Sequence, residues 1–290
     1  HARRTLTLGG RTRDGLMLPS GSSASWTLEV PPDQPRWVSR VALEPSRLPG
    51  KQSDGATIAL TAHVEGHEPI EVAQRELSGK AVTFEPWEVD LSRFADQTVR
   101  LVVETGPGPA GDPLFDWVFL GSPSLQANTE GVPRRVVVIG VDTLRRDKIA
   151  GPTRISPLPG FDTLGGESVQ FVRAWTPAPR TRPSFRAATT GRLPLEAVGA
   201  ENIGSVFQRN GWATAGLVAN IHLQPRFGFH KGYDYWHFAG DRDAELQVDE
   251  AVAWLNEQAQ RDAFLFLHFM DPHLPYHAPA PFLDKHTTDK

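Results

Sequence analysis

The sequence predicts two folded modules: an all-β sandwich over residues 1–126 and an α/β domain with a mostly parallel sheet over residues 135–290, joined by a linker at 127–134. Three observations carry this. Short segments of alternating apolar and polar residues recur through the first part. A polar, turn-rich stretch without periodicity, GSPSLQANTEGVPR, follows at 121–134. Beyond it, continuous apolar runs alternate with helical patterns.

In the first module the alternating segments are Ser25–Val30, Trp37–Leu43, Thr57–Val64, Ile70–Leu77, Val82–Val89, Thr98–Glu104 and Phe115–Leu120. Pro31, Pro32, Gly50, Gly55, Gly66, Gly79 and the Gly106–Gly111 cluster separate them, which is the pattern of an antiparallel sandwich. Trp26, Trp37 and Trp87 have two readings. Exposed, they would stack on a sugar; buried, they fill the core, and the second is favoured because tryptophan is highly buried on average. Asp112 and Asp116 lie in turns where a structural calcium would find oxygens, but no calcium-loop motif surrounds them.

In the second module Arg135–Val141 is a continuous apolar strand, as expected when both faces of a parallel sheet are covered. Val169–Trp175 reads as a second strand, and a short helix from about Ser184 is closed by Gly191. Glu201–Arg209 reads as a helix stopped at Gly211, followed by the strand Trp212–Ala219. Ala244–Gln260 places Val248, Ala251, Val252, Leu255 and Ala259 on one helical face and leads into the strand Ala263–Phe269.

Composition excludes several classes. The chain of 290 residues has a net charge of -4, so it lacks the basic field of a nucleic-acid binder. It has no cysteine, which removes disulfides, thiolate metal sites and thiol catalysis. No apolar run approaches the roughly 20 residues needed to span a bilayer. The first residue is His1 rather than methionine, as expected of a chain that is either processed, with a signal peptide or anchor removed, or only partly recorded.

The polar residues of the second module fall at predicted strand ends: Asp142 after the first, Asn220 and His222 after the third, Asp271 and His273 after the fourth. Ligands of open α/β sheets bind outside the carboxyl ends of the strands, so these side chains are candidates for one pocket. Thr181 stands at a helix start, where free N–H groups favour an anion; its hydroxyl either caps the helix or, activated by a base or metal, acts as a nucleophile. Arg186, about one turn on, is placed either to hold an oxyanion or to sit in solvent.

Together VVVIGVDTLRRDKI, FDTLGGESVQFVRAWTPAPRTRPSFRAATTGRLP, GWATAGLVANIHL, GFHKGYDYW and FLFLHFMDPHLPYHAP resemble the N-terminal half of the sulfatase family, in the alkaline phosphatase superfamily. FEPWEVDLSRFADQTVRLVVET and FDWVFLGSPSL resemble the galactose-binding-like jelly-roll domains attached to such enzymes. The resemblance implies a metal-dependent hydrolase or phosphotransferase of sulfate or phosphate esters, glycan- or lipid-linked substrates included. It implies a divalent cation (Ca, Zn, Mn or Mg) and a secreted, periplasmic or cell-surface location. Asp142 matches the first metal-binding aspartate, and Thr143 stands where typical members have a second.

Thr181 aligns with the nucleophile and shares the metal. Typical members have cysteine or serine there, matured to formylglycine within C/S-x-P-x-R, and threonine is not a substrate for that maturation. The reading therefore leans to phosphate or phosphonate esters over sulfate esters. Pro183, Ser184, Thr190 and Gly191 keep the motif's frame, but Phe185 replaces its arginine, with Arg186 next in line. His222 matches the histidine of a lysine-x-histidine element in which Asn220 replaces the lysine. His273, in DPHLPY, matches the substrate-binding histidine. His230, His237, His268, His277 and His286 are read as structural.

The family's downstream Asp-His or Asp-Asn metal pair is not present up to Lys290, and the tail HTTDK reads as a polar loop where a protease could cut. The resemblance thus implies a C-terminal half as partner, in the same chain or a separate one. The alternative is a catalytically inactive protein of this fold that serves as a surface-binding or assembly component. A weaker third reading makes the sandwich a glycan-binding module in its own right.

Overall fold

A computed structural model describes residues 2–80, 82–127, 131–150, 154, 156–240 and 243–276. His277, His286, the HTTDK tail and part of the linker lie outside the described residues.

The chain opens with a hairpin of β1 (Ala2–Leu8) and β2 (Arg11–Pro19), which the alternation pattern does not predict. Its two-residue turn, Gly9-Gly10, has φ of 53° and 78°, values that glycine alone adopts at little cost. Two glycines between Thr/Leu and Arg/Leu runs were the available signal. The predicted strands then follow as β3 (Ser23–Glu29), β4 (Arg36–Leu43), β5 (Gly55–His63), β6 (Ile70–Ser78), β7 (Glu85–Asp90), β8 (Thr98–Pro107) and β9 (Trp117–Gln126). Residues 121–126, polar in sequence, extend β9 rather than opening the linker, because Gly121, Ser124, Leu125 and Gln126 still pair with β4.

The sheet β3-β8-β5-β6 packs on β2, β9, β4 and β7. Alternation puts Ala56, Ile58, Leu60 and Ala62 of β5 inward, against Leu18, Val41, Val118 and Leu120. Trp37 and Trp87 are buried in this core and Trp26 packs half-buried against Trp37, their rings 5.2 Å apart. The tryptophans pack as core residues. Asp116 is fully buried and ties two loops together, accepting from Ser53 Oγ at 2.6 Å and from the Gly108 N–H at 3.2 Å.

The second module contributes β10 (Arg135–Val141), α1 (Arg146–Ile149), α2 (Pro159–Gly166), α3 (Thr181–Thr190), α4 (Ile203–Arg209), β11 (Ala213–Val218), β12 (Tyr235–Phe238), α5 (Ala244–Glu257) and β13 (Ala263–Phe269). Strands β10, β13, β11 and β12 are parallel in that order. β12 then pairs antiparallel with β2, through Trp236 opposite Thr12 and His237 opposite Arg11. One nine-stranded sheet therefore runs through both modules, and it is mixed rather than mostly parallel. The four-residue β12, too short to register as a strand in sequence, makes the joint. His237 reinforces it, with Nδ1 2.8 Å from Glu250 Oε1 on α5.

Two further expectations fail. Val169–Trp175 forms no strand; Val169, Phe171, Val172 and Trp175 are exposed. Alternating apolar residues make a strand only where a ladder partner satisfies the backbone, and no described strand pairs with this segment. On α5 the buried face is Gln247, Ala251 and Trp254, with Leu255 partly buried, whereas Val248 and Val252 are exposed. The helix leans on β11 and β13 and leaves the β10 side open. β10 is accordingly an edge strand in the described chain, with Val137, Val138 and Ile139 exposed.

Candidate active site

β10 delivers Asp142 and β13 delivers Met270 at neighbouring carboxyl ends, since the strands run in register from Arg135 opposite Ala263 to Val141 opposite Phe269. The Asp142 N–H donates to the Phe269 carbonyl at 2.9 Å and continues the ladder one residue further. β11 ends at Val218, and the following turn presents Asn220 from the adjacent position. Helix α3 starts over these ends with Thr181 as its first residue, longer by three residues than the sequence predicts.

Phe185 seats α3. Its ring lies edge-on to Phe266 (6.0 Å) and His268 (4.8 Å) and fills the space above Gly140, where a β-carbon would come within 2.5 Å of it. The position of the family motif's arginine is therefore occupied by a packing residue. Arg186 also turns away from the pocket, donating from Nη2 to the Phe227 carbonyl at 2.9 Å and lying 5.5 Å over the Phe229 ring.

The centre is a small polar network. Thr181 Oγ1 donates to Asp142 Oδ2 at 3.0 Å. Asn220 Nδ2 donates to the same oxygen at 2.8 Å and lies 3.3 Å from both Thr181 Oγ1 and Met270 Sδ, while Asn220 Oδ1 accepts from the His222 N–H at 2.8 Å. His268 is fully buried with Nε2 3.4 Å from Asp142 Oδ2, long for a hydrogen bond, and has no closer partner among the described residues. Burial alone would raise the Asp142 pKa, but the contacts from His268, Thr181 and Asn220 together outweigh it and hold the carboxyl below its ordinary value.

His222 stands at the rim, exposed, with Nδ1 3.3 Å from Arg182 Nη2. Arg182 lies 3.7 Å over the Phe227 ring and has a buried Nε with no described partner. His273 is half-buried, its Nδ1 2.6 Å from the Leu274 carbonyl. Asp271 faces the α5 N-terminus, 3.4 Å from the Ala244 N–H. Thr143, at φ 54°, donates to the Pro272 carbonyl at 3.0 Å and ties the Asp142 turn to the DPHLPY segment.

The structure thus brings together Asp142, Thr181 and Asn220, sets His222 beside them through its N–H bond to Asn220 Oδ1, and leaves Arg186 and His273 on other partners. His268 and Arg182 go unassigned to the site in sequence. A histidine inside the apolar run FLFLHF is a usable signal for the first. Nothing in a segment containing Arg180, Arg182 and Arg186 singles out the second. Asp142 and Thr181 offer two oxygens to a cation that wants four or more ligands, and among the described residues no cluster of three His, Cys, Asp or Glu side chains could hold one. The described residues alone do not make a metal site.

A family model described as Sulfatase matches residues 134–290. An uncharacterized protein of Archaeoglobus fulgidus is 32% identical over 90 residues, covering 30% of this chain and 22% of that protein. The chain thus matches under a quarter of the length of that curated relative. Among solved structures, the carbohydrate-binding module TmCBM61 in complex with β-1,4-galactotriose is 19% identical, with 40% of this chain and 70% of that one covered and a TM-score of 0.27. The Clostridium thermocellum xylanase 10B CBM22-1 and GH10 modules, complexed with xylohexaose, are 10% identical, with 44% and 26% covered and a TM-score of 0.28. No described helix is long and apolar enough to cross a membrane.

Proposed function

Since the chain belongs to the sulfatase family, we propose that this hydrolase acts on phosphate or sulfate esters with Thr181 as its nucleophile, phosphate esters being favoured. The observation that carries the reading is the Thr181–Asp142 hydrogen bond at the carboxyl ends of parallel strands, with the Thr181 hydroxyl at the first position of α3. An oxyanion seated there would meet the free N–H groups of the first helical turn. Thr181 Oγ1 would form the new bond to phosphorus or sulfur as the bond to the leaving oxygen breaks, its own proton passing to Asp142 Oδ2, the acceptor it already faces, while His222, at the rim, would donate a proton to the leaving oxygen; water then hydrolyses the Thr181 ester and restores the hydroxyl.

Members of this family typically use a divalent metal, which lowers the pKa of a bound oxygen and screens charge on the ester. In this reading Asp142 and Thr181 are part of its ligand set, and further polypeptide, in this chain or another, supplies the rest. The open edge of β10 supports that: among the described residues Val137, Val138 and Ile139 stay exposed on a strand with one side unpaired, an arrangement proteins normally cover. The same reading puts the protein outside the cytoplasm.

Phe185 favours a second reading, a catalytically inactive member that binds or assembles, because it packs where the family motif has its arginine. One assay separates the two. The full chain is tested on aryl phosphate and aryl sulfate esters with added Zn, Mn or Ca, beside Thr181→Ala. Turnover lost by at least about a hundredfold in the variant supports the nucleophile; equal turnover removes Thr181 from the reaction.

A further inference from the structure

A cleft of about 890 Å³ separates the outer face of the sandwich from the α/β module. None of the residues around Asp142 lines it, so it is a second candidate binding place. Its sandwich wall is the side of β4 and β9 that faces away from the core. Arg36, Val38 and Arg40 come from one strand, and Ser122, Ser124 and Gln126 from the other, with Arg36 opposite Gln126 and Val38 opposite Ser124. Residues two apart on a strand share a face, so these side chains line one wall that is polar except for Val38 and is interrupted by a register shift between Val38 and Arg40. Arg36 and Arg40 are four residues apart, about 13 Å at the usual strand rise.

The cations of this cleft outrun its anions. Arg40 pairs with Glu257, whereas Arg13, Arg36 and Arg261 have no carboxylate within ion-pair distance among the described residues. Asp234 is already engaged, accepting from Gln208 Nε2 at 2.8 Å and from the Thr214 N–H at 3.1 Å. Arg13 is the sharpest case. Its guanidinium lies 4.6 Å over the Tyr235 ring, donates one weak bond of 3.3 Å to the Asp234 carbonyl, and keeps a buried Nε without a partner. Burial first, and Arg40 second, push its pKa down to about 10. Arg36 likewise has a buried, unpartnered Nε. Buried donors of this kind are normally satisfied, and Asp234 and Glu257, which attract Arg13 from beyond ion-pair distance, do not offset its burial and the neighbouring Arg40.

We propose that this cleft binds an anionic oligosaccharide, a sugar chain whose sulfate or carboxylate groups pair with Arg13 and Arg36 while its hydroxyls meet the Ser122, Ser124 and Gln126 row. The guanidinium fork matches carboxylate and sulfate oxygens, and hydroxyl and amide side chains between charged positions suit a ligand that is polar throughout and charged at intervals. The volume lies in the range of ordinary ligand sites and exceeds what a single inorganic anion needs. This inference does not rest on the ester-hydrolase reading, because it concerns binding at residues outside that site.

The test is calorimetric titration of the full chain with a chondroitin sulfate hexasaccharide, which carries both anionic groups. A hyaluronan hexasaccharide (carboxylate only), neutral cellohexaose and a single-stranded DNA oligonucleotide of matching charge serve as comparisons. We expect saturable binding of at least one acidic hexasaccharide, the preferred one identifying the anionic group. That binding weakens at least tenfold in Arg36→Ala and in Ser124→Trp, which fills the cleft, and is unchanged in Arg93→Ala on the exposed turn after β7. Urea midpoints of all variants are measured alongside, so that lost binding is read only from folded protein. Failure of the wild type to bind either acidic sugar, equal affinity in Arg36→Ala and Ser124→Trp, or DNA binding as tight as the sugar would each overturn the proposal.

Discussion

Gly140→Ala probes how the sheet positions the nucleophile. Gly140 sits opposite His268 in the β10–β13 ladder, and a β-carbon there would lie 2.5 Å and 2.9 Å from two carbons of the Phe185 ring. The ring cannot simply step aside, because Phe266 and His268 hold it edge-on. Overpacking of this kind costs about 1–3 kcal/mol, against which replacing a strand glycine by alanine returns roughly 0.5–1 kcal/mol of backbone entropy. Net destabilisation of about 0–2.5 kcal/mol follows. In a Phe185→Ala background the clash is gone, so the same substitution should be neutral or stabilising by about 0.5–1 kcal/mol. The assay is a double-mutant cycle from urea unfolding, with midpoints by fluorescence and far-UV circular dichroism required to coincide. An equal cost of Gly140→Ala in both backgrounds, or none in either, would refute the account of Phe185 as the seat of α3.

Two further outcomes follow. The folded-state pKa of Asp142 is depressed, so its stabilisation is fully present above the unfolded carboxyl value of about 3.9 and is lost as pH falls through the lower folded value. Asp142→Asn should therefore flatten the acid limb of stability below about pH 4, and an unchanged acid limb would count against the network as drawn. Asp116→Ala strands the buried Gly108 N–H, while the Ser53 hydroxyl keeps the Gly55 carbonyl as an acceptor at 2.9 Å; the expected loss is about 1–3 kcal/mol, measured by chemical denaturation, and a change under about 0.5 kcal/mol would mean that water replaces the carboxylate.

The alternating and continuous apolar runs determined most elements by themselves. β10 and β13 span the expected residues from end to end, and β4, β5, β6 and β8 fall within three residues at either end. These patterns are local: period two follows from the pleat, and a continuous apolar run follows from burial on both faces. Asp142, Thr181 and Asn220 were legible for the same reason, since strand ends and helix starts are where open valences gather.

Tertiary contacts decided the rest. Val169–Trp175 has the pattern of a strand but no described ladder to join, whereas the four residues of β12 have almost no pattern and carry the joint between modules because β2 and β11 flank them. Arg182 and Arg186 are equivalent in sequence; the packing of Phe227 and Phe229 gives one to His222 and the other to a carbonyl. His268 joins the site only because β13 lies beside β10 and turns that face toward Asp142. Local sequence sets the period of each element and the chemistry of its ends; which ends meet is a matter of strand order and packing, and neither is encoded within a single segment.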